Sequence, residues 1–463
     1  MTMRPAPAPE PEPEPEMFDV VIFGASGFTG RYVIREALKF LAPSSPYASP
    51  LRSLALAGRS RDRVAAALRW AAGPGPAPAP ELPILVADSS DPASLAALAA
   101  RARVVLSCAG PFRHHGRSVA AACAAAGADC LDISGEPEFM ERVEAEFHEV
   151  AAKNGSLIIS ACGFDSIPAE LGYLFHSRQW VPPSVPVSVQ AYVSLESDKK
   201  IVGNFGTYES AVLGVANARE LQALRRSQPR RPRPNIPGPP PPKGSLVEHD
   251  ETLALWTIKL PSADTAVVKR TLSTLTQRPE GLPGAEETVD FAEHRKNFWS
   301  SVKPAHFGVK LTSKSLLGIA QFIFTGLCIG LLGGFSFGRS LLLKFPSFFS
   351  AGGFRKSGPT EEQVSSASFK MWFIGHGYSD ATRASEHGSK PDKVIITRVT
   401  GPEVGYITTP IVLVQCALVL LSQRGNLPKG GVYTPGAVFG PTDLQQRLQE
   451  NGLSFDLVST RAL

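Results

Sequence analysis

The sequence predicts an α/β fold, with a doubly wound parallel sheet in its N-terminal part and a second, α+β domain behind it. Three observations predict it. Between Phe18 and about Phe175, short apolar runs alternate with Ala-rich helical stretches, the pattern of a parallel sheet with helices on both faces. A glycine triplet joins the first apolar run directly to the first helical stretch. From about residue 185 the texture changes to longer alternating segments that read as half-exposed strands. At 463 residues the chain is long enough for two to three domains with ample core.

The elements follow in order. DVVIFG (19–24) is a buried strand by its length and β-branching, and 29–41 a helix. Further strands are expected at 54–59, 82–88, 103–110, 128–134 and 156–163, with helices at 61–72, 93–101, 117–127 and 137–153 between them. PVSVQAYVSL (186–195) alternates as a strand, and 207–226 reads as one amphipathic helix. The run 227–244, SQPRRPRPNIPGPPPPKG, is basic and Pro-rich, so an exposed polyproline loop is expected there. A solvated insertion is preferred to an SH3-type ligand or an anionic-surface contact. Strands are expected at 253–261, 265–272, 368–377 and 393–401, and 409–422 reads as a buried helix too short to span a bilayer. The expected organisation is a tail over 1–16, a first domain over 17–180, a second over 181–425, and a C-terminal segment over 426–463.

Composition excludes several function classes. The net charge is only +5 and charges run through the chain, without the basic stripe and interleaved aromatics of a nucleic-acid binder. Six cysteines, at 108, 123, 130, 162, 328 and 416, form no C-x-x-C pair and lie near no spaced histidine. A zinc site or disulfide framework is therefore not expected, and no metal is assigned. The opening MTMRPAPAPEPEPEPE lacks the apolar region of a secretory signal, and its Pro-Glu repeat cannot bury a core. An intracellular protein with a disordered tail is expected. The mean hydropathy of -0.01 is high for a soluble enzyme and low for a polytopic membrane protein.

The glycine triplet carries chemistry. Gly24, Ala25, Ser26, Gly27, Phe28, Thr29 and Gly30 follow a strand and open a helix. The spacing G-x-x-G-x-x-G is a variant of the dinucleotide fingerprint of Rossmann-type sheets. Gly24 permits a tight turn, Gly27 lets the backbone approach a pyrophosphate, and Gly30 lets helix pack on strand. The helix N-terminus supplies unpaired N–H groups for phosphate, and Ser26 and Thr29 can add hydroxyls. The second strand runs into Arg59 and Ser60, with Arg61 and Arg63 beyond. No carboxylate stands at its tip to bind a ribose 2′-hydroxyl, and Asp62 suits a helix-cap role, so NADP is favoured over NAD. Asp88 ends the third strand, where it can meet an adenine edge. Ala109 and Gly110 end the fourth, leaving room for the cofactor.

Ligands in such sheets lie outside the carboxyl ends of the strands, which aims His114, Asp132, Glu136 and Asp165 at one crevice. Glu136, Asp165 and His114 are the catalytic candidates. For each a structural role competes: a solvated turn at His114-His115, an acceptor at Asp132, helix caps at Glu136 and Asp165 (Pro168 follows closely, suiting a helix start). The fourth strand is followed by no Ser-x-x-x-Tyr-x-x-x-Lys pattern.

The runs GASGFTGRYVIREAL, LALAGRS, LSCAGPFRHHGRSVAAACAAAGADCLDISGEPEFM and ACGFDSIPAELG, with VGNFGTYESA (202–211) and GGVYTPGAVFGPTDLQQRL (430–448), resemble the saccharopine dehydrogenase-like oxidoreductases. The resemblance covers the chain from Met17 to its end; the 227–244 run looks like a local expansion. It implies a Rossmann domain, a second α+β domain with a mixed sheet, and a C-terminal segment that returns towards the first domain. It also implies an oxidoreductase of unassigned substrate at membranes, lipid droplets or mitochondria. Relatives include saccharopine dehydrogenases and trans-acting enoyl reductases of bacterial lipid synthesis. No saccharopine-binding residue is carried over, since that chemistry does not match position by position.

Residues 315–338, SLLGIAQFIFTGLCIGLLGGFSFG, hold no charge. As one helix they would extend roughly 36 Å, enough to cross a hydrocarbon core of about 30 Å. Gly326, Gly330, Gly334 and Gly338 would stripe one face, and Lys310, Lys314, Arg339 and Lys344 flank the segment. Three readings compete: insertion from one side with a hairpin at the glycines, a buried helix or homo-oligomer interface, and a true crossing. One-sided association is favoured, because strand-rich sequence of one fold lies on both flanks. The expected function is an NADP-dependent oxidoreductase at a membrane or lipid-droplet surface, passing hydride to C=N, C=C or C=O of a small-molecule or lipid-linked substrate. The alternative is a Rossmann-fold lipid-droplet or membrane interaction protein without turnover.

Overall fold

The computed structural model describes residues 16–41, 49–74, 79–242, 244–259, 262–386 and 388–463. All but Glu16 of the expected tail lies outside the described residues. The first half alternates strand and helix: β1 (Phe18–Phe23), α1 (Phe28–Leu41), β2 (Leu54–Gly58), α2 (Arg61–Ala72), β3 (Ile84–Val86), α3 (Pro92–Ala99), β4 (Ala102–Ser107), α4 (Phe112–Ala126), β5 (Asp129–Asp132), α5 (Pro137–Asn154), β6 (Leu157–Ile159) and α6 (Ile167–Ser177). Local chemistry fixes the helix ends. Ser60 caps α2 by accepting from Arg63 N, Asp91 caps α3 by accepting from Ala93 N, and α4 and α5 stop at Gly127 and Gly155 in the left-handed conformation.

The six strands form a parallel sheet in the order β6-β5-β4-β1-β2-β3, and a seventh strand, Gly431–Tyr433, adds in parallel beside β6. The chain reverses direction across the sheet between β1 and β4, the point where open α/β sheets bind their ligands. Alternation on β1 separates two cores. Val20 and Ile22 pack with α1, α2 and the helix Thr409–Gln423, and Val21 and Phe23 pack with α3, α4 and α5. The return of the chain to this sheet therefore begins before the expected 426, since helix 409–423 contacts α1, β4 and β5.

The second half builds around β7 (Val185–Ser197). Its mixed seven-stranded sheet runs 454–462, 393–402, 367–378, β7, 306–313, 255–258, 247–250, with β7 and 306–313 parallel and the other pairs antiparallel. The helices of this half that matter here are α7 (Phe205–Ala216), α8 (Ala218–Ser227), α9 (Ala263–Gln277), α10 (Val289–Ser301), α11 (Leu316–Leu332) and α12 (Ser336–Lys344).

Four expectations change. The 265–272 segment is not a strand but the body of α9. Ser262 caps that helix, and Val267, Val268, Thr271 and Leu272 bury one helical face, so β-branching gives way to packing. The 207–226 helix is two, split at Asn217, whose side chain bonds back to Leu213 O. The helix expected from 117 starts at Phe112, which puts His114 and His115 in its first turn. Finally, 315–338 is not a single helix. α11 ends at Leu332, the chain turns at 333–335, and α12 packs its Gly338 onto Leu332. The 17 residues of α11 extend about 26 Å, less than the roughly 30 Å needed to cross. Gly326 and Gly330 face open space and mediate no packing.

Candidate functional site

β1 passes into α1 through Gly24, whose φ of +78° is a left-handed conformation that glycine adopts without penalty. A Cβ at Gly24 would lie 2.9 Å from Ala109 N, and one at Gly30 would collide with the Gly24 carbonyl oxygen. Both glycines are thus required by close approach of backbone. Ala25 is fully buried, while Gly24, Ser26, Gly27, Phe28 and Thr29 are half-buried on the crevice rim. The N–H groups of Phe28, Thr29 and Gly30 open α1 and find no acceptor among the described residues, as expected of a helix first turn. These features fit the pyrophosphate of a dinucleotide. The Phe28 side chain has another role: its ring meets Tyr406 at 4.8 Å and lies under Arg31 at 4.2 Å, tying the fingerprint to the 404–408 turn.

The candidates for the adenosine end stand at the tips of β2 and β3. Arg59 is exposed at the tip of β2 and forms no ion pair among the described residues. It acts electrostatically on Asp88, which bonds to Ser90 N at 2.9 Å and is held below its usual range by those Ser90 bonds first and Arg59 later. It also acts on His115, whose pKa burial lowers and whose Nδ1 meets Ser89 Oγ at 2.8 Å. A free arginine between these groups fits a 2′-phosphate. Ser60 is engaged in capping α2.

At the other end the four acidic and imidazole candidates take different parts. Asp132 is buried and ties two strand ends together, accepting from Ser134 N at 2.9 Å and Ala161 N at 3.1 Å; burial raises its pKa to about 6. Ala161 sits at a φ of +68°, a strained conformation for alanine, two residues after β6. Glu136 caps α4 rather than its own helix. It accepts from Phe112 N at 2.9 Å, Arg113 N at 3.1 Å and Ser210 Oγ of α7 at 2.8 Å. His114 is exposed and acts on Glu209 of α7, whose pKa burial raises. Asp165 is crowded by protein on most sides yet open to solvent, as a group on a cleft wall is, and burial raises its pKa. A Cβ on Gly135 would lie 2.8 Å from its Oδ2, so that glycine lets the two loops meet. Among the described residues no group of His, Cys, Asp and Glu could hold a metal.

Helix α7, which the sequence marked only as amphipathic, is the opposite wall of this crevice. One face carries Glu209 and Ser210 towards His114 and Glu136. The other buries Tyr208 and Val212 against Ile329 of α11 and Leu342 of α12. Those two helices otherwise show apolar side chains to solvent: Leu317 is 81% exposed, Leu331 73% and Phe337 73%. The helical run 404–426 is long and apolar enough to cross a membrane, but it is largely buried in the protein core.

Comparison with known proteins gives three findings. A family model, the saccharopine dehydrogenase NADP binding domain, matches residues 20–159. A probable mitochondrial saccharopine dehydrogenase-like oxidoreductase of Arabidopsis thaliana is 63% identical over 96% of this chain and 97% of its own, and a lipid droplet localized protein of Caenorhabditis elegans is 31% identical over 96% and 98%. Among solved structures, the L-Glu-forming saccharopine dehydrogenase of Saccharomyces cerevisiae superposes with a TM-score of 0.51 at 12% identity, over 96% of this chain and all of its own, a likeness of fold.

Proposed function

The chain belongs to the saccharopine dehydrogenase-like oxidoreductases, and from that premise we propose that it is an NADP(H)-dependent oxidoreductase working at a lipid surface on a lipophilic substrate. The observation that carries the reading is α7. The same helix lines the crevice with Glu209 and Ser210 and packs against the exposed apolar helices α11 and α12, so crevice and surface patch are two sides of one wall. A contiguous set of exposed Leu and Phe side chains marks an interaction site on a soluble protein. The name of the worm relative supports a droplet surface, and that of the plant relative a mitochondrial one.

When bound, the dinucleotide supplies the hydride, delivered to C=N, C=C or C=O. The chain's own residues do the remainder. Gly24 to Gly30 bring backbone N–H groups to the pyrophosphate, Arg59 selects the 2′-phosphate, and Ala109-Gly110 leaves room for the nicotinamide. Gly135 and Asp165 border the place where a substrate meets it.

The test uses purified full-length protein with phospholipid vesicles. NADPH is titrated by its fluorescence, then its oxidation followed across imine, enoyl and carbonyl panels. NADPH is expected to bind more tightly than NADH, and Arg59→Ala to lose about tenfold in NADPH affinity, roughly one charge-assisted hydrogen bond, with NADH affinity unchanged. An unchanged NADPH preference in that variant overturns the role of Arg59. Binding without turnover in any panel favours the silent interaction protein.

A further inference from the structure

The stretch that holds α11 and α12 differs from the rest of the chain in charge as well as in hydropathy. Between Glu293 and Glu361 there is no Asp or Glu, in a chain that carries 42. On the N-terminal side of this stretch the cations are paired to acids elsewhere: Arg295 to Glu287, Lys296 to Glu280 and Lys310 to Glu248. From Lys314 onwards the pairing stops. Lys314, Arg339, Lys344, Arg355 and Lys356 form no ion pair among the described residues. The first acids beyond, Glu361 and Glu362, are taken by Arg35 and Lys199.

Three of these unpaired cations stand among exposed apolar side chains. Leu317, Phe324, Leu327 and Leu331 share one face of α11 and are exposed. Phe335 and Phe337 follow at the turn, and Phe345 and Phe348 after α12, all exposed. Among the described residues every exposed phenylalanine belongs to this stretch. Lys314 is exposed directly before Ser315, the cap of α11, with exposed Leu316 and Leu317 just beyond. Arg339 Nη1 donates to Gly333 O at 3.1 Å, at the turn between the helices. Lys344 ends α12, its Nζ 5.5 Å from the centre of the Phe345 ring.

The charge decides what covers such a face. A second copy of the chain in a two-fold dimer would set this patch against itself, cation against cation with no acid between them, and like charges so placed are costly. A zwitterionic lipid surface rewards the apolar side chains alone. A surface with anionic headgroups rewards both: Leu and Phe enter the acyl boundary while Lys and Arg meet the headgroups. We propose that this face docks on an anionic phospholipid surface, with Lys314, Arg339 and Lys344 as the headgroup contacts. The proposal rests on the lipid-surface part of the function given above and adds the charge of that surface.

Flotation of the full-length protein with two kinds of vesicle tests it: phosphatidylcholine alone, and equal parts of phosphatidylcholine and phosphatidylserine. A cation near an anionic surface strengthens binding about fivefold, so the serine-containing vesicles should be favoured by about a hundredfold. That preference should shrink as salt is raised, since exposed charges are screened. The triple change Lys314→Gln, Arg339→Gln, Lys344→Gln should erase the preference and leave binding to phosphatidylcholine as in wild type. Because Arg339 holds the turn, the pair Lys314→Gln, Lys344→Gln guards against a misfolded triple variant, and should lose about 25-fold on the anionic vesicles alone. Equal binding of wild type to both vesicles overturns the proposal and leaves the lipid-surface reading standing. A preference that survives in both variants overturns the assignment of the headgroup contacts. Flotation with neither vesicle overturns both the proposal and the lipid-surface reading.

Discussion

Two helices of this protein have nearly the same composition and opposite surroundings. Thr409–Gln423 and α11 are both uncharged, of 15 and 17 residues. In the first, every residue from Thr409 to Leu420 is buried, between α1 and the parallel sheet. In the second, only Ile319 and Ile329 are buried. Hydropathy does not separate them; neighbours do. A sheet face needs a cover, and helix 409–423 supplies it. α11 packs on α7, α12, the 346–349 helix and strands 255–258 and 306–313 with one side and leaves Leu317, Phe324, Leu327 and Leu331 of the other exposed. It is this surface that the proposed function places against lipid.

The contrast can be broken from either side. The triple change Leu317→Ser, Leu331→Ser, Phe337→Ser removes three exposed side chains worth about 4–8 kcal/mol of transfer to lipid. It should abolish flotation with phospholipid vesicles and leave the thermal midpoint unchanged. Equal flotation of variant and wild type would return α11 to the status of an ordinary surface helix. Leu413→Ala, in the buried helix, should destabilise by about 2–5 kcal/mol in urea unfolding. A value below 1 would mean that 409–423 is not a structural cover.

Acid compares the two regions as wholes. The sheet side is tied by Glu144 of α5 to Arg270 of α9 and to Arg231 of the Pro-rich run, whereas α11 and α12 form no ion pair among the described residues. Burial pushes the Glu144 carboxyl up, but Arg270 and then Arg231 hold it down to about 2. A depressed carboxylate stabilises above its unfolded pKa of about 4.3, and that contribution is lost as pH falls towards the folded value. Wild type should lose about 2–3 kcal/mol across this window, and Glu144→Gln should show a flatter limb in unfolding measured at pH 5 and 3. The smallest effect belongs to Leu331→Ala, expected within about 0.5 kcal/mol of wild type by the same method.

What was legible in the sequence was local. The strand, glycine turn and helix at 19–41 stand where their spacing puts them, and Arg59 stands free where the second strand ends. α9 was illegible as a helix because TAVVKRTL is β-branched and its deciding feature is a buried face. The role of Glu136 was illegible for another reason: it caps α4 from another loop, and no local pattern encodes such a bond. The break in 315–338 was half legible, in that the glycines suggested a turn while their four-residue spacing suggested one continuous stripe.

The late return of the chain to its first sheet also has a consequence in time. The apolar face made by Val20, Ile22 and their neighbours is synthesised early, but its cover, 409–423, and its seventh strand, 431–433, come last. Translation from Ser177 to Thr409 takes roughly 10–50 s at ordinary ribosomal speeds, and a sheet face waits uncovered throughout. The first sheet is therefore complete only when distant parts of the chain have joined it. Until 409–433 has been made, that face is apolar surface of the kind that aggregates unless it is shielded.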